Sequence, residues 1–472
     1  MTASLAAVAD SDLTALVTIM RQRSVRAYLP ERIPDSVLNA CFDLAILAPT
    51  SHNLECWQMT DAQDTTRLAA LRHLCLNQPA TAVIQYLCRS MVAGLIATVA
   101  LVFPAWGQSE PNIRQMKADF AGLLPKHDAG SKQLPGAMLR VEAPALGLIW
   151  TGAVGVSDLA TGETLRPEQT LRIASITKSF IAAAILRLVE DHRLALDARI
   201  GDHLRPESIA LLQKGGYDPW RITIRLLLQH TSGLFDFATS ETYLGRVSSD
   251  PLHRWTRMEQ LSLAMESGHA YAEPGKVYKY SDTGYILLGE VIEVTTGSTM
   301  AAAVHDLLAF DRLGIDNTWF ETLEPVRVGA PPRAHQYLES RDANAFDPSL
   351  DLFGGGGLVS TLEDVARFYR ALHEGKIFQI KGTLDTMLEV TPQSLEADAE
   401  GYGLGIVRAR LNGVVCYGHG GFWGILAWHC PELNVTVVAA ATNVTGRHAV
   451  EAMVDGAIRI CAAAIAAPWQ TP

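Results

Sequence analysis

Strand-like sequence stands at both ends of residues 135–472, and the long middle between them is helical. The segment "GAMLRVEAPALGLIWTGAVGVSD" (136–158) reads as strands with turns at its Gly and Pro positions, and "GVVCYGHGGFWGILAWHCPELNVTVVAAATN" (413–443) as successive short strands with turns between. Between them "SITKSFIAAAILRLVEDHRL" is a strongly apolar helix, and "TIRLLLQHTSGL" and "TGYILLGEVIEVTTG" are further helices. A sheet built from such ends must have its edges far apart in sequence, with helices packed against it. The fold class is therefore mixed α/β (α+β).

The first ninety residues have another texture. They hold amphipathic helical patterns: "DSDLTALVTIMRQRSV", with Asp10 or Ser11 as N-cap, and "PDSVLNACFDLAILAP", where Val37, Leu38, Cys41, Leu44 and Ala45 keep helical spacing. Met91 to Trp106 is then an unbroken apolar and small-residue run, with Arg89 before it and Gln108-Ser109-Glu110 after it. At an N-terminus that pattern would be a secretory signal. It is slightly short for a membrane span. The polar stretch that follows mixes charge, Gly and Pro, as a mature N-terminus or a linker would. The chain thus divides into 1–88, the apolar segment 89–108, a linker 109–134 and a main domain 135–465.

With 48% hydrophobic and 19% charged residues, there is ample material for a large core. The net charge of −11 and the lack of any Lys/Arg-rich block argue against nucleic acid or an anionic membrane surface as partner. Cys41, Cys56, Cys75 and Cys88 crowd the front, and Cys416, Cys430 and Cys461 serve the rest. No CxxC or Cys/His spacing suggests a metal. Three cysteines make no complete disulfide set, so the expectation is that they are small core residues. Asn434 and Asn443 each begin an N-x-T match, but both fall in or beside strands and read as chance.

The chemistry begins at "LRIASITKSFIAAAILRLVE". Ser175 and Lys178 are three apart, so a helix puts them on one face. Ser175 falls where the helix starts, where free N–H groups and the positive dipole end can stabilise an oxyanion. A lysine one turn on, kept out of water, can take the serine's proton. Ser175 as a simple N-cap and Lys178 as a surface residue is the plainer alternative. About a hundred residues later comes "EPGKVYKYSDTGYILLGEVIE", and beyond it "CYGHGGFWGILAWHCPE".

S-x-x-K, then Y-S-[ND], then a Gly-rich strand with a basic residue, is the order of the penicillin-recognising serine enzymes. Residues 135 to about 460 resemble the serine β-lactamase-related superfamily: class C β-lactamases, D-alanyl-D-alanine carboxypeptidases and related esterases. "LLLQHTSGL" (226–234), "LFGGGGLVSTLEDVARF" (352–368) and "GYGLGI" (401–406) resemble family landmarks in family order. The resemblance implies an antiparallel sheet flanked by helices, with a helical subdomain and no cofactor or metal. It implies that Ser175 is acylated, that Lys178 accepts or shares its proton, and that Tyr280 relays a proton to the leaving group. Asp282 stands where the family usually has Asn, and a carboxylate beside Lys178 tends to hold it protonated.

His419 matches the basic position of the third motif, where class C β-lactamases have lysine; histidine there resembles the carboxypeptidase and esterase branches more. Gly420 and Gly421 would let a substrate backbone approach, and the Phe422 N–H would be the second oxyanion donor beside that of Ser175. His230, in "QHTSGL", reads as a structural residue at a helix end.

"MRQRSVRAYLPERIPDSVL" and "LAPTSHNLECWQ", continued by "LRHLCLNQPA", resemble the N-terminal third of a nitroreductase-type flavoprotein. Arg23 and Arg26 would meet a flavin phosphate, with Ser24 and Asn53 adding hydrogen bonds. Gln22, Glu55 and Cys56 depart from that family's pattern, and the likeness stops near Cys88, so a helical fragment that cannot hold FMN unaided is expected. The apolar run then reads as the original leader of a hydrolase joined behind a truncated reading frame. A genuine signal anchor, or a buried helix on the front fragment, are the other readings. Functionally the chain reads as an exported, cofactor-free serine hydrolase acting on a peptide, ester or lactam. A penicillin-recognising domain without turnover, and a flavin reductase with an accessory domain, are the alternatives.

Overall fold

A computed structural model describes residues 113–125, 131–397 and 400–466. The nitroreductase-like segment and the apolar run Met91–Trp106 lie outside the described residues.

Six strands form one antiparallel sheet: β1 (Gly136–Ala143), β2 (Leu148–Gly155), β3 (Val407–Leu411), β4 (Val414–Gly421), β5 (Ile425–Cys430) and β6 (Val435–Ala441). Their order is β2-β1-β6-β5-β4-β3. The two ends of the domain meet where β1 pairs with β6, Leu139 opposite Ala439. The edge strands β2 and β3 come from opposite ends of the sequence, as the strand pattern requires.

Side chains alternate across the sheet with period two. Ala137, Leu139 and Val141 share one face with Val437 and Ala439, packed against the C-terminal helix α6 (Arg447–Ala466, labelled with the other helices below), while Met138 faces the other way. All eight residues of β1 are buried because helices cover both of its faces. Two of them are charged. Arg140 and Glu142 pair with each other, and Arg370 of the helix Leu362–His373 pairs with Glu142, which keeps the carboxylate from being buried unpaired.

The helices used below are α1 (Ile113–Leu123), α2 (Thr177–Glu190), α3 (Asp282–Thr296), α4 (Met300–Leu308), α5 (Leu362–His373) and α6. Helix α1 lies inside the stretch read from sequence as a linker. Met116 and Phe120, one turn apart, are its buried face, and Phe120 meets Trp150 of β2 with ring centroids 5.7 Å apart. Helix α2 is buried all round, with only Val189 of its residues outside the core, because α3 and α4 enclose it. Each large apolar side chain so buried contributes about 1.5–3 kcal/mol. One of them, Phe180, stacks on Phe368 of α5.

The cysteines correct the expectation from sequence. Cys416 and Cys430 form a disulfide across β4 and β5, and Cys461 stays a free, buried thiol pushed up to about 12 by burial. The cause is register. Tyr417 pairs with His429, so the residues one step outward come face to face. A separation of 14 residues in sequence carries no such information. Among the described residues, no single helix is long and apolar enough to cross a membrane.

Candidate active site

Ser175 sits in a single 3₁₀ turn, Ala174–Ile176, between the short strand Leu171–Arg172 and α2. Ala174 takes a left-handed backbone, φ 47°, which is costly for a residue with a Cβ and turns the chain sharply before the nucleophile. The Ser175 hydroxyl does not cap the helix. It accepts a 2.9 Å hydrogen bond from Nζ of Lys178, which lies in the first turn of α2 and is fully buried. Nζ also donates to the Gly355 carbonyl and ion-pairs with Oδ1 of Asp282. Three oxygens therefore surround Nζ.

Tyr280, just ahead of α3, completes the cluster. Its hydroxyl interacts with the Ser175 side chain, and its ring centroid is 5.0 Å from the Lys178 Nζ. Burial, followed by the charge of Asp282, pushes its ionisation well above the usual tyrosine range, so it stays a neutral phenol. Ser175, Lys178, Tyr280 and Asp282 are thus brought together as the motif order suggested.

His419 faces the same cluster from β4, its ring centroid 6.2 Å from that of Tyr280. It is 4% exposed. Its Nδ1–H donates to the Gly420 carbonyl at 2.7 Å, and Nε2 accepts the Tyr402 hydroxyl at 3.0 Å, an assignment made from those partners. Burial, then the charge of Lys178, pushes it down to about 3. The motif position expected to be basic therefore holds an uncharged imidazole.

Beyond His419 the two glycines differ. A Cβ on Gly421 would fall 2.3 Å from the carbonyl of Ile173, so only glycine lets β4 close against the Ser175 turn. A Cβ on Gly420 would meet Leu426 and the Arg447 guanidinium on the opposite face, away from Ser175. The close approach at Gly421 is to the backbone of Ile173, within the protein itself. Phe422 follows directly in the turn to β5, with its side chain 60% exposed.

Four participants escaped the motif reading: Tyr402, the Gly355 carbonyl, Asp236 and Asp351. The first two lie in "GYGLGI" and "LFGGGG", segments noted as landmarks, but a backbone carbonyl has no side-chain signature. Asp236 is buried, and its Oδ1 accepts the amides of Ala238 and Asp282, each at 3.1 Å. Burial, then the charge of Asp282, raises Asp236 to about 7 and Asp351 to about 6. Three carboxylates thus gather near one buried lysine.

This predicts a stability signature. A carboxyl raised to about 7 stabilises the fold fully below its unfolded value near 4, and that contribution is lost as pH rises through 7. Asp236→Asn keeps an oxygen for the same two amides but cannot ionise. The expected result is a variant more stable than the parent at pH 8, by on the order of 2–4 kcal/mol, with the gap closing toward pH 4. Thermal unfolding of both proteins across that range checks it, and parallel curves would show that Asp236 ionises normally.

Comparison with known proteins agrees with this geometry. The model of the Beta-lactamase family matches residues 125–459, and that of the Nitroreductase family matches residues 19–93. Esterase EstB of Burkholderia gladioli is 29% identical over 307 residues, 60% of this chain and 77% of that protein. Penicillin-binding protein 4 of Amycolatopsis lactamdurans is 28% identical over 311 residues, 62% and 75% of the two chains. Among solved structures, a D-stereospecific amidohydrolase from Streptomyces sp. superposes with a TM-score of 0.59 at 25% identity, covering 74% of this chain and 98% of that one. The D-amino acid amidase from Ochrobactrum anthropi SV3 has the same fold, with a TM-score of 0.62 over 73% and 98% of the chains at 24% identity. The family match begins ahead of β1 and runs into α6, so it takes in the whole sheet and the helical layer that carries Ser175 and Lys178: the chain belongs to the beta-lactamase family and is a serine hydrolase of the acyl-enzyme type.

Proposed function

We propose that Ser175 is the nucleophile of an exported hydrolase that favours uncharged esters and amides over carboxylate-bearing peptides and β-lactams. The observation that carries the nucleophile is the 2.9 Å hydrogen bond from the fully buried Lys178 Nζ to Ser175 Oγ, with the Tyr280 ring 5.0 Å from that nitrogen. Ser175 Oγ attacks the acyl carbon as its proton passes to Nζ of Lys178, which enters this step as the neutral amine. The tetrahedral oxyanion lies at the start of α2, between the Ser175 and Phe422 amides. Tyr280 delivers its phenol proton to the leaving oxygen or nitrogen and takes back the proton held by Lys178. Water then attacks the acyl-enzyme by the same steps in reverse.

The neutral state of His419 supports the substrate preference. A cation at that position would attract a substrate carboxylate, whereas an imidazole held near 3 and occupied by Tyr402 offers no charge. The similarity to an esterase and to a D-stereospecific amidohydrolase is consistent with that choice. Export is supported by the Cys416–Cys430 bond, which persists in oxidising compartments, and by the signal-like run Met91–Trp106. That run begins where the nitroreductase-like match ends and lies ahead of the hydrolase match, which supports a truncated frame fused ahead of an exported enzyme.

The test compares kcat/KM for an aryl ester, a D-amino acid amide, a D-Ala-D-Ala peptide and a penicillin. The ester or amide is expected to exceed the other two by tenfold or more, about 1.4 kcal/mol of transition-state binding. A reversed order would overturn the role given to His419. A lasting adduct on Ser175 without product would favour a penicillin-recognising domain that does not turn over.

A further inference from the structure

Residues 230–237 put no side chain on the Ser175 hydroxyl, yet they clamp the chain on both sides of Tyr280. The Lys279 amide donates to the His230 carbonyl at 2.8 Å, and the Ser281 amide donates to His230 Nδ1 at 3.1 Å. Asp282 donates its amide to Asp236, Thr283 donates its hydroxyl to the Phe235 carbonyl at 2.7 Å, and that hydroxyl accepts the Phe237 amide. Tyr280 is the residue at the middle of this clamp.

His230 contributes a second restraint. Its imidazole is 1% exposed and lies against the Tyr280 phenol, ring centroids 4.1 Å apart and planes 32° apart. Tyr402 and Tyr285 enclose it at 4.8 and 5.0 Å. Its backbone is left-handed, φ 57°, where the helix Ile224–Leu228 ends, and that turn is what swings the ring under Tyr280. A residue serving only to end a helix needs none of these contacts.

We infer that His230 is a positioning residue for Tyr280: the ring fixes the tilt of the phenol and Nδ1 fixes the adjoining Ser281 amide, so that the Tyr280 hydroxyl meets the leaving group. The inference rests on the proton-relay role proposed for Tyr280. Because Nδ1 accepts the Ser281 amide, the imidazole proton is on Nε2, a buried nitrogen with no hydrogen-bond partner. A second proton would set two N–H donors face to face. Burial first, and then the charge of Lys178, hold the ring neutral. The unpaired Nε2–H is a cost kept in the fold for the sake of this placement.

The chemistry supplies a readout that a merely structural residue would not move. A nitrophenolate leaves without being protonated, whereas an alkoxide must receive a proton, so misplacing Tyr280 hurts alkyl esters more than nitrophenyl esters of the same acid. His230→Phe keeps a ring but loses the acceptor. It is expected to lower kcat on the alkyl ester by about 10–100-fold, with KM little changed and a much smaller loss on the nitrophenyl ester. His230→Asn, whose side-chain oxygen replaces Nδ1, is expected to recover part of that loss. Equal losses on the two esters, or none, overturn the inference. If the Phe variant does not fold, the same comparison is made on the Asn variant, which lacks the supporting ring, and is judged by the same rule. Tyr280→Phe is measured beside them. If it shows no leaving-group dependence, the relay role of Tyr280 is what has failed; if it does and the His230 variants do not, the failure is that of His230.

Discussion

Ser175→Ala is expected to remove turnover almost completely, lowering kcat on an ester by about 10⁴–10⁶-fold while leaving the protein folded. The size follows from the loss of the nucleophile, since no other hydroxyl accepts a hydrogen bond from Lys178 Nζ among the described residues. The fold should tolerate the change because Ser175 is only half-buried and Lys178 keeps Gly355 and Asp282 as partners. Intact-mass measurement gives the direct check: an acyl adduct on the parent protein during turnover, and none on the variant. Residual activity within tenfold of the parent would mean that another residue is acylated.

Lys178→Met is expected to damage both activity and stability. Removing one member of a buried ion pair leaves the other unpaired, which costs about 3–5 kcal/mol. Here Asp282 would be left beside Asp236 and Asp351 with no other ion-pair partner among the described residues. Adding Asp282→Asn in the same chain removes the stranded charge. The double variant is expected to regain most of the stability in urea unfolding but none of the turnover, because the proton acceptor is still missing. Recovery of activity would show that Lys178 acts through charge balance alone.

Much of this site was legible in the sequence because its chemistry is local. Ser175 and Lys178 are one helical turn apart, and a strongly apolar run after them had to become a buried helix. Tyr280 precedes and Asp282 opens another such helix, and His419 and Gly421 lie on a strand whose flanks alternate. His230 was visible as a helix-end residue, and it is one, but its contact with Tyr280 depends on a fold that returns the chain fifty residues later. The cysteines were misread for the same reason. Their bond is a consequence of strand register, which is set by pairing between β4 and β5 rather than by composition.

The sequence alone therefore determined the class of reaction groups, their order, and the helices and strands that carry them, since these follow from short-range periodicity and from chemistry at fixed spacing. Tertiary structure decided their electrical state. The Gly355 carbonyl reaches Lys178 across 177 residues, and Asp236 meets Asp282 across 46. Whether His419 is a cation or a neutral imidazole, and whether Asp236 carries a proton near pH 7, depend on how much water those remote segments exclude and whose charge they bring near. Desolvation is a property of the packed site, and no single segment of the chain contains it.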